Sequence, residues 1–282
     1  MLNVLKQRIL TGLVLAPIMI GGIFYLPMMQ FMVFIGVITA LGAWEWANLS
    51  GVQNKVARVA YTVAVSALLY LLWYLDLEQQ PELLYVAFAW WMLAFVLVRT
   101  HPKFKSIWAG SITRLILGLV ILIPMWIGFV QIKSYPNSGY LMVFVMFIVW
   151  GADVGAYFAG RAFGKNKLAP NVSPGKSWEG VYGGIATTTL VAIIAGMMLQ
   201  NAMHMDLSIK QWSLLFLATF IVTAVSVVGD LVESMMKRHR GIKDSSNLLP
   251  GHGGVMDRID SMTAALPVFA LALSILGWNI SL

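Results

Sequence analysis

Residues 212–238 read WSLLFLATFIVTAVSVVGDLVESMMKR, and no charged residue occurs between Trp212 and Gly229. A helix of about 20 mostly apolar residues crosses the hydrocarbon layer of a bilayer, and this run has that length and character. The charges that follow keep helical spacing. Asp230, Glu233, Ser234, Lys237 and Arg238 stand at i, i+3, i+4, i+7 and i+8, one face of a continuing helix with carboxylates deep and cations shallow. The segment predicts a membrane helix that carries its own charged extension.

The whole chain has the same character. Hydrophobic residues make up 59% and charged residues 11%, against roughly 45–50% and about 25% in soluble domains. Eight further apolar runs, at about 9–26, 31–48, 59–76, 83–98, 114–132, 139–158, 180–199 and 261–280, join 212–232 to give nine spans. The run at 83–98 is short, and Glu45 interrupts the one at 31–48. The expected fold class is all-α: a polytopic integral membrane protein with about five spans in residues 1–135 and a catalytic membrane domain in 136–282. Lys6 and Arg8 precede the first run as in a signal peptide, but no small-residue cleavage site follows, so a retained helix is expected.

Charge placement gives the orientation. With the N-terminus cytoplasmic, all of the 19 Lys and Arg except Lys133 and Lys210 fall on the inner side, while Asp76, Glu78, Glu82 and Asp206 cluster outside. This is the positive-inside pattern, and with nine spans it puts the C-terminus, Leu282, outside. The net charge of +7 is thereby accounted for as topology, which excludes nucleic acid as a partner. With no cysteine, thiolate catalysis and Cys-ligated zinc are excluded too.

Two cytoplasmic loops are long enough for chemistry, 159–179 and 233–260, and Pro and Gly in both predict irregular backbone. An ionisable residue at the edge of the membrane is a functional candidate, which singles out Asp230. In the second loop Gly251, His252, Gly253 and Gly254 precede Asp257, Arg258 and Asp260. Glycines let backbone N–H groups approach an anion, and Asp257 and Asp260, at i and i+3, can converge on one cation. Alternatively the two acids cap the last helix and pair with Arg258, and Lys237 and Arg238 meet anionic lipid headgroups.

Ahead of the first loop Asp153 sits within a Gly- and Ala-rich helix suited to close packing, where a buried acid demands a partner. Gly175, Lys176 and Ser177 look like the end of a P-loop, but Pro170 stands where that motif needs Gly and no strand is expected before it. Ser173, Lys176 and Ser177 either contact nucleotide phosphates or form a solvated basic loop.

The run Ser234, Met236, Lys237, Arg238, Lys243, Asp244, Ser246, Leu249, Pro250, His252, Gly253, Gly254, Asp257, Arg258, Ile259, Asp260 resembles the signature of phosphatidate cytidylyltransferases, also called CDP-diacylglycerol synthases. The likeness extends to Asp153 and to Ser173, Pro174, Gly175 and Lys176, and so covers the C-terminal half strongly. It implies that CTP and phosphatidic acid react to CDP-diacylglycerol and pyrophosphate, that Mg²⁺ is required with K⁺ as a second ion, and that the enzyme is a homodimer in the membrane, expected to be the bacterial inner membrane; the two cytoplasmic loops put the expected site on the cytosolic side. Asp230, Asp257 and Asp260 are then the expected metal ligands. Lys237, Arg238, Lys243 and Arg258 are expected to hold the lipid phosphate and pyrophosphate, and Ser234, His252, Gly253, Gly254, Ser173, Lys176, Ser177 and Asp153 to line the substrate site. Two other classes fit the composition: a CTP-dependent lipid kinase, and a transporter, which should instead carry broken polar segments near the midplane.

Overall fold

The computed structural model describes residues 2–204 and 206–276. Each of the nine expected spans is a helix: α1 Leu2–Tyr25, α2 Met28–Leu49, α3 Lys55–Tyr74, α4 Glu82–Thr100, α6 Ser111–Ser134, α7 Ser138–Phe163, α8 Trp178–Met203, α9 Ile209–Arg240 and α10 Met256–Leu276. The additional α5, Lys105–Trp108, is a single turn that the apolar pattern does not announce. Eight of these are long and apolar enough to cross a membrane, and in α1 the apolar part is the shorter Ile9–Tyr25. The chain is an all-α polytopic membrane protein. Residues 277–280 of the last expected span, and Leu282 with its expected outer location, lie outside the described residues.

α6, α9 and α10 bury most of their apolar length at the centre of the bundle, whereas α3 and α8 leave most of theirs outward, as helices facing lipid do. Small residues set the closest approaches. A Cβ at Gly155 of α7 would lie 2.5 Å from Gly183 O of α8, and one at Gly229 of α9 would lie 2.6 Å from Asp260 O of α10. The close α7–α8 packing expected from Gly and Ala is therefore present. The second contact brings the charged ends of α9 and α10 together.

α9 has 32 residues, about 48 Å at 1.5 Å per residue, so its last turns extend past the ~30 Å hydrocarbon layer. It ends at Gly241, whose φ of 75° is the left-handed conformation favoured after a helix. α9 and α10 thus reduce the expected loop 233–260 to residues 241–255 between them. The other loop also differs from expectation. α7 continues to Phe163, and the short strands β1 Lys167–Ala169 and β2 Ser173–Ser177 pair antiparallel, Lys167 opposite Ser177. Pro174 is tolerated because a two-stranded ribbon consists only of edges. A strand does precede Lys176, contrary to expectation, but as a hairpin and not the parallel sheet of a P-loop.

Thr11 Oγ1 donates to Pro250 O at 2.9 Å, so the start of α1 and the 241–255 segment share one end of the bundle. At the other end Lys133, an exception to the charge rule, donates to Ile23 O at 2.7 Å and lies 5.0 Å from the centre of the Phe31 ring. Its cation is tied into the protein, which reduces its weight as a topology signal.

Candidate active site

The charged residues of the two loops meet where the C-terminal part of α9, the first turn of α10, the hairpin and α7 converge. Lys237, one helical turn beyond Glu233, places Nζ 2.7 Å from Glu233 Oε2 and 2.6 Å from Asp257 Oδ1. The side chains of Glu233, Asp257 and Lys237 are only 1%, 6% and 13% exposed, so this is a desolvated ion triad. Asp257 Oδ2 accepts from Ser245 N and Gly254 N, each at 2.8 Å, and Ser245 Oγ, whose one proton is shared with Glu45, also lies 2.8 Å away. Both oxygens of Asp257 are occupied, which its expected role as an open metal ligand does not anticipate.

A second pair lies beside the triad. Lys176 Nζ is 2.6 Å from Asp230 Oδ2, and Ser234 Oγ donates to Asp230 Oδ1 at 3.2 Å. The hairpin supplies Lys176 and α9 supplies the acid, so the two expected charged segments are joined here. Asp153 is not enclosed in helix packing: it is exposed toward a cavity of about 360 Å³ that Tyr157, Arg161, Lys176, Ser177 and Val227 also line. It lies within electrostatic reach of Asp230, Lys176 and Arg258.

Several expected substrate contacts have other partners. Ser177 is buried and accepts from Gly180 N at 3.1 Å, capping α8 while it borders the cavity. Arg238 Nε donates to Val172 O at 3.4 Å, tying α9 to the hairpin. Arg258 Nε and Nη2 donate to His252 O at 3.1 and 2.9 Å. Lys243 is exposed on the 241–255 segment, and Ser173 is half-buried in β2. The glycines serve close packing. Gly253 has φ +81°, and a Cβ there would lie 2.7 Å from Asp257 Oδ2, while a Cβ at Gly254 would overlap Ser245 Oγ and Glu45 Oε2. The Gly254 N–H faces the protein's own carboxylate Asp257 rather than solvent.

Glu45 is the residue that sequence reasoning missed. Its carboxylate, 1% exposed, accepts from Ser245, Ser246, Val255 and Met256. The available signal was an acid near the end of an apolar run, which marks a functional candidate.

Among the described residues, no three His, Asp or Glu side chains already form a metal-ligating group. A Mg²⁺ site does not require one, because this ion usually takes one or two carboxylates and completes its shell with substrate phosphate and water. Asp260 lies within electrostatic reach of Asp230 and Glu233, and its side chain meets that of Glu233, so three acids gather at this point. This excess of acceptors fits a cation.

An apolar helical bundle that gathers cations, carboxylates and a cavity at the ends of its helices is an integral membrane protein with a site suited to anionic substrates. The comparisons specify which kind. A model of the cytidylyltransferase family matches residues 6–276, and the chain belongs to that family. Over 275 residues it is 52% identical to the phosphatidate cytidylyltransferase of Pseudomonas aeruginosa, covering 98% of this chain and 99% of that one. It is 41% identical to the phosphatidate cytidylyltransferase of Haemophilus influenzae, over 94% of this chain and 97% of the relative. The protein of that name from Bacillus subtilis is 31% identical over 95% of this chain and 98% of its own. The chain is a nucleotidyltransferase.

Proposed function

We propose that this enzyme transfers the cytidylyl group of CTP to phosphatidic acid, giving CDP-diacylglycerol and pyrophosphate. A phosphate oxygen of the lipid attacks the α-phosphorus in line. A P–O bond forms to the lipid phosphate as the α–β bridge breaks, and the β and γ phosphates leave together with the bond's electron pair. No covalent enzyme intermediate is required. The observation that carries the proposal is the Lys176–Asp230 pair, whose lysine lines the cavity and which joins the hairpin to α9. Two polyanions must approach each other there, and fixed cations lower their repulsion while preorganised groups stabilise the charge that develops.

Lys176 and Ser173 on the hairpin, with Asp153 and Ser177 at the cavity and Ser234 beside Asp230, are proposed to receive CTP. Lys237, Arg238, Lys243 and Arg258 are proposed to hold the lipid phosphate and departing pyrophosphate, with His252, Gly253 and Gly254 shaping the segment between them. Asp230 and Asp260 would hold Mg²⁺, with K⁺ beside it, and Asp257 would join them on releasing Lys237. Bound there, the metal would neutralise charge on phosphate oxygens. The residues proposed for the chemistry lie in 136–282, and the helices of 1–135 are proposed to support them. The bacterial relatives and the charge segregation support an inner-membrane location with the site facing the cytosol, and the resemblance supports a homodimer.

Transfer of label tests the reaction. CTP labelled at the α-phosphorus should put label into CDP-diacylglycerol in the lipid fraction with purified, Mg²⁺-supplied enzyme, whereas γ label should appear only in pyrophosphate. Lipid carrying γ but not α label would show a lipid kinase, and label in neither would favour the transporter.

A further inference from the structure

Glu45 belongs to α2, far in sequence from the charged segments, yet its carboxylate is built into them. Oε1 accepts from Val255 N at 3.0 Å and Ser246 Oγ at 2.6 Å, and Oε2 accepts from Met256 N at 2.7 Å and Ser245 Oγ at 2.9 Å. Val255 and Met256 carry N–H groups at the start of α10 that have no partner within the helix. A carboxylate at a helix N-terminus also meets the favourable end of its dipole. One side chain therefore fixes both where α10 begins and how the preceding segment returns to it.

The consequences extend to the ion triad. Ser245 Oγ lies 2.9 Å from Glu45 Oε2 and 2.8 Å from Asp257 Oδ2, and Ser245 N donates to Asp257 Oδ2 at 2.8 Å. Asp257 in turn holds Lys237 at 2.6 Å. Gly254 lies so close to both Ser245 Oγ and Glu45 Oε2 that no side chain fits there, so the segment closes directly on Glu45. Glu45, Ser245, Asp257 and Lys237 form one connected chain from α2 to α9.

We infer that Glu45 is a positioning residue for the transfer reaction: from α2 it sets the register of residues 245–256, and through them the places of Asp257, Lys237 and Asp260. This rests on the cytidylyl-transfer reading. Because Glu45 acts on the groups around the reacting phosphates and lines none of the hairpin cavity proposed for CTP, it governs turnover and not CTP binding.

Glu45→Gln tests this. It keeps the size, but offers one acceptor oxygen and two N–H groups where four donors converge, so one side of the clamp opens. A misplacement of about 1 Å costs on the order of 100-fold, so the kcat for α label entering CDP-diacylglycerol should fall about 10- to 100-fold, with KM for CTP within about threefold. Ser245→Ala removes one donor of the same clamp and should lower kcat less, again without moving KM. Glu45→Gln with Ser245→Ala should lose less than the product of the single losses, because contacting residues couple. A Glu45→Gln enzyme that elutes normally in detergent and keeps wild-type kcat, or that raises KM alone, overturns the inference. If Glu45→Gln fails to fold, Ser245→Ala with wild-type kcat overturns it equally. Absence of α transfer in the wild-type enzyme would instead refute the reaction reading, so the two failures are distinguishable.

Discussion

Lys237 on α9 and Asp257 in the first turn of α10 approach to 2.6 Å in surroundings that leave their side chains 13% and 6% exposed. This contact closes the two halves of the charged segment on each other. It also shows why the segment is expensive to disturb. Desolvated charges are tolerated only when paired, and Lys237 serves both Asp257 and Glu233.

Lys237→Met should therefore leave two buried carboxylates facing each other without a cation. Removing one partner of a buried ion pair typically costs about 3–5 kcal/mol, and a large drop in the midpoint of thermal unfolding in detergent is expected. Asp257→Asn keeps the shape and leaves Lys237 its bond to Glu233, so it should fold while kcat falls by about 100-fold, or about 2.7 kcal/mol of barrier. Near-normal kcat in folded Asp257→Asn would remove Asp257 from the machinery.

The glycines give a second, purely steric expectation. Gly253→Ala must adopt φ near +81° and place its Cβ 2.7 Å from Asp257 Oδ2. The left-handed backbone alone costs an L-residue roughly 1–2 kcal/mol, so thermal stability should drop by at least that much. Gly21→Ala in α1, where nothing lies within 4 Å of a Cβ, should be neutral or stabilising by about 0.5–1 kcal/mol. Equal effects of the two substitutions would contradict the packing described.

The spans were legible because the bilayer imposes a length and an apolar character that each run displays by itself. The site was legible in part. Asp230, Ser234 and Lys237 keep helical spacing, so their common face could be read directly, and the structure has them on one extended α9. What escaped was every feature fixed by a distant residue. α10 begins at Met256 and not near 261 because Glu45 satisfies its first N–H groups, and nothing near residue 256 reports that. The hairpin was hidden because Pro174 and Gly175 interrupt a strand of only five residues. Asp153 was expected in helix packing, where its small neighbours do sit, but its own side chain opens on a cavity made by other elements.

The absence of cysteine makes the topology directly measurable. Asn247 and Gln80 are both exposed, on the 241–255 segment and between α3 and α4 respectively. Asn247→Cys should react with a membrane-impermeant maleimide only from the cytosolic side, and Gln80→Cys only from the other. Labelling of both from one side would break the expected alternation of spans.

The most direct measurement on the transfer itself is the configuration at the α-phosphorus. With CTP carrying a chiral phosphorothioate at that position, attack by the lipid phosphate in a single in-line step must invert the centre in the CDP-diacylglycerol formed. Inversion is the predicted result. Retention would mean two displacements through a cytidylylated enzyme group, and would contradict a site built from Lys176, Asp230, Lys237 and Asp257 only to position and neutralise two bound phosphates.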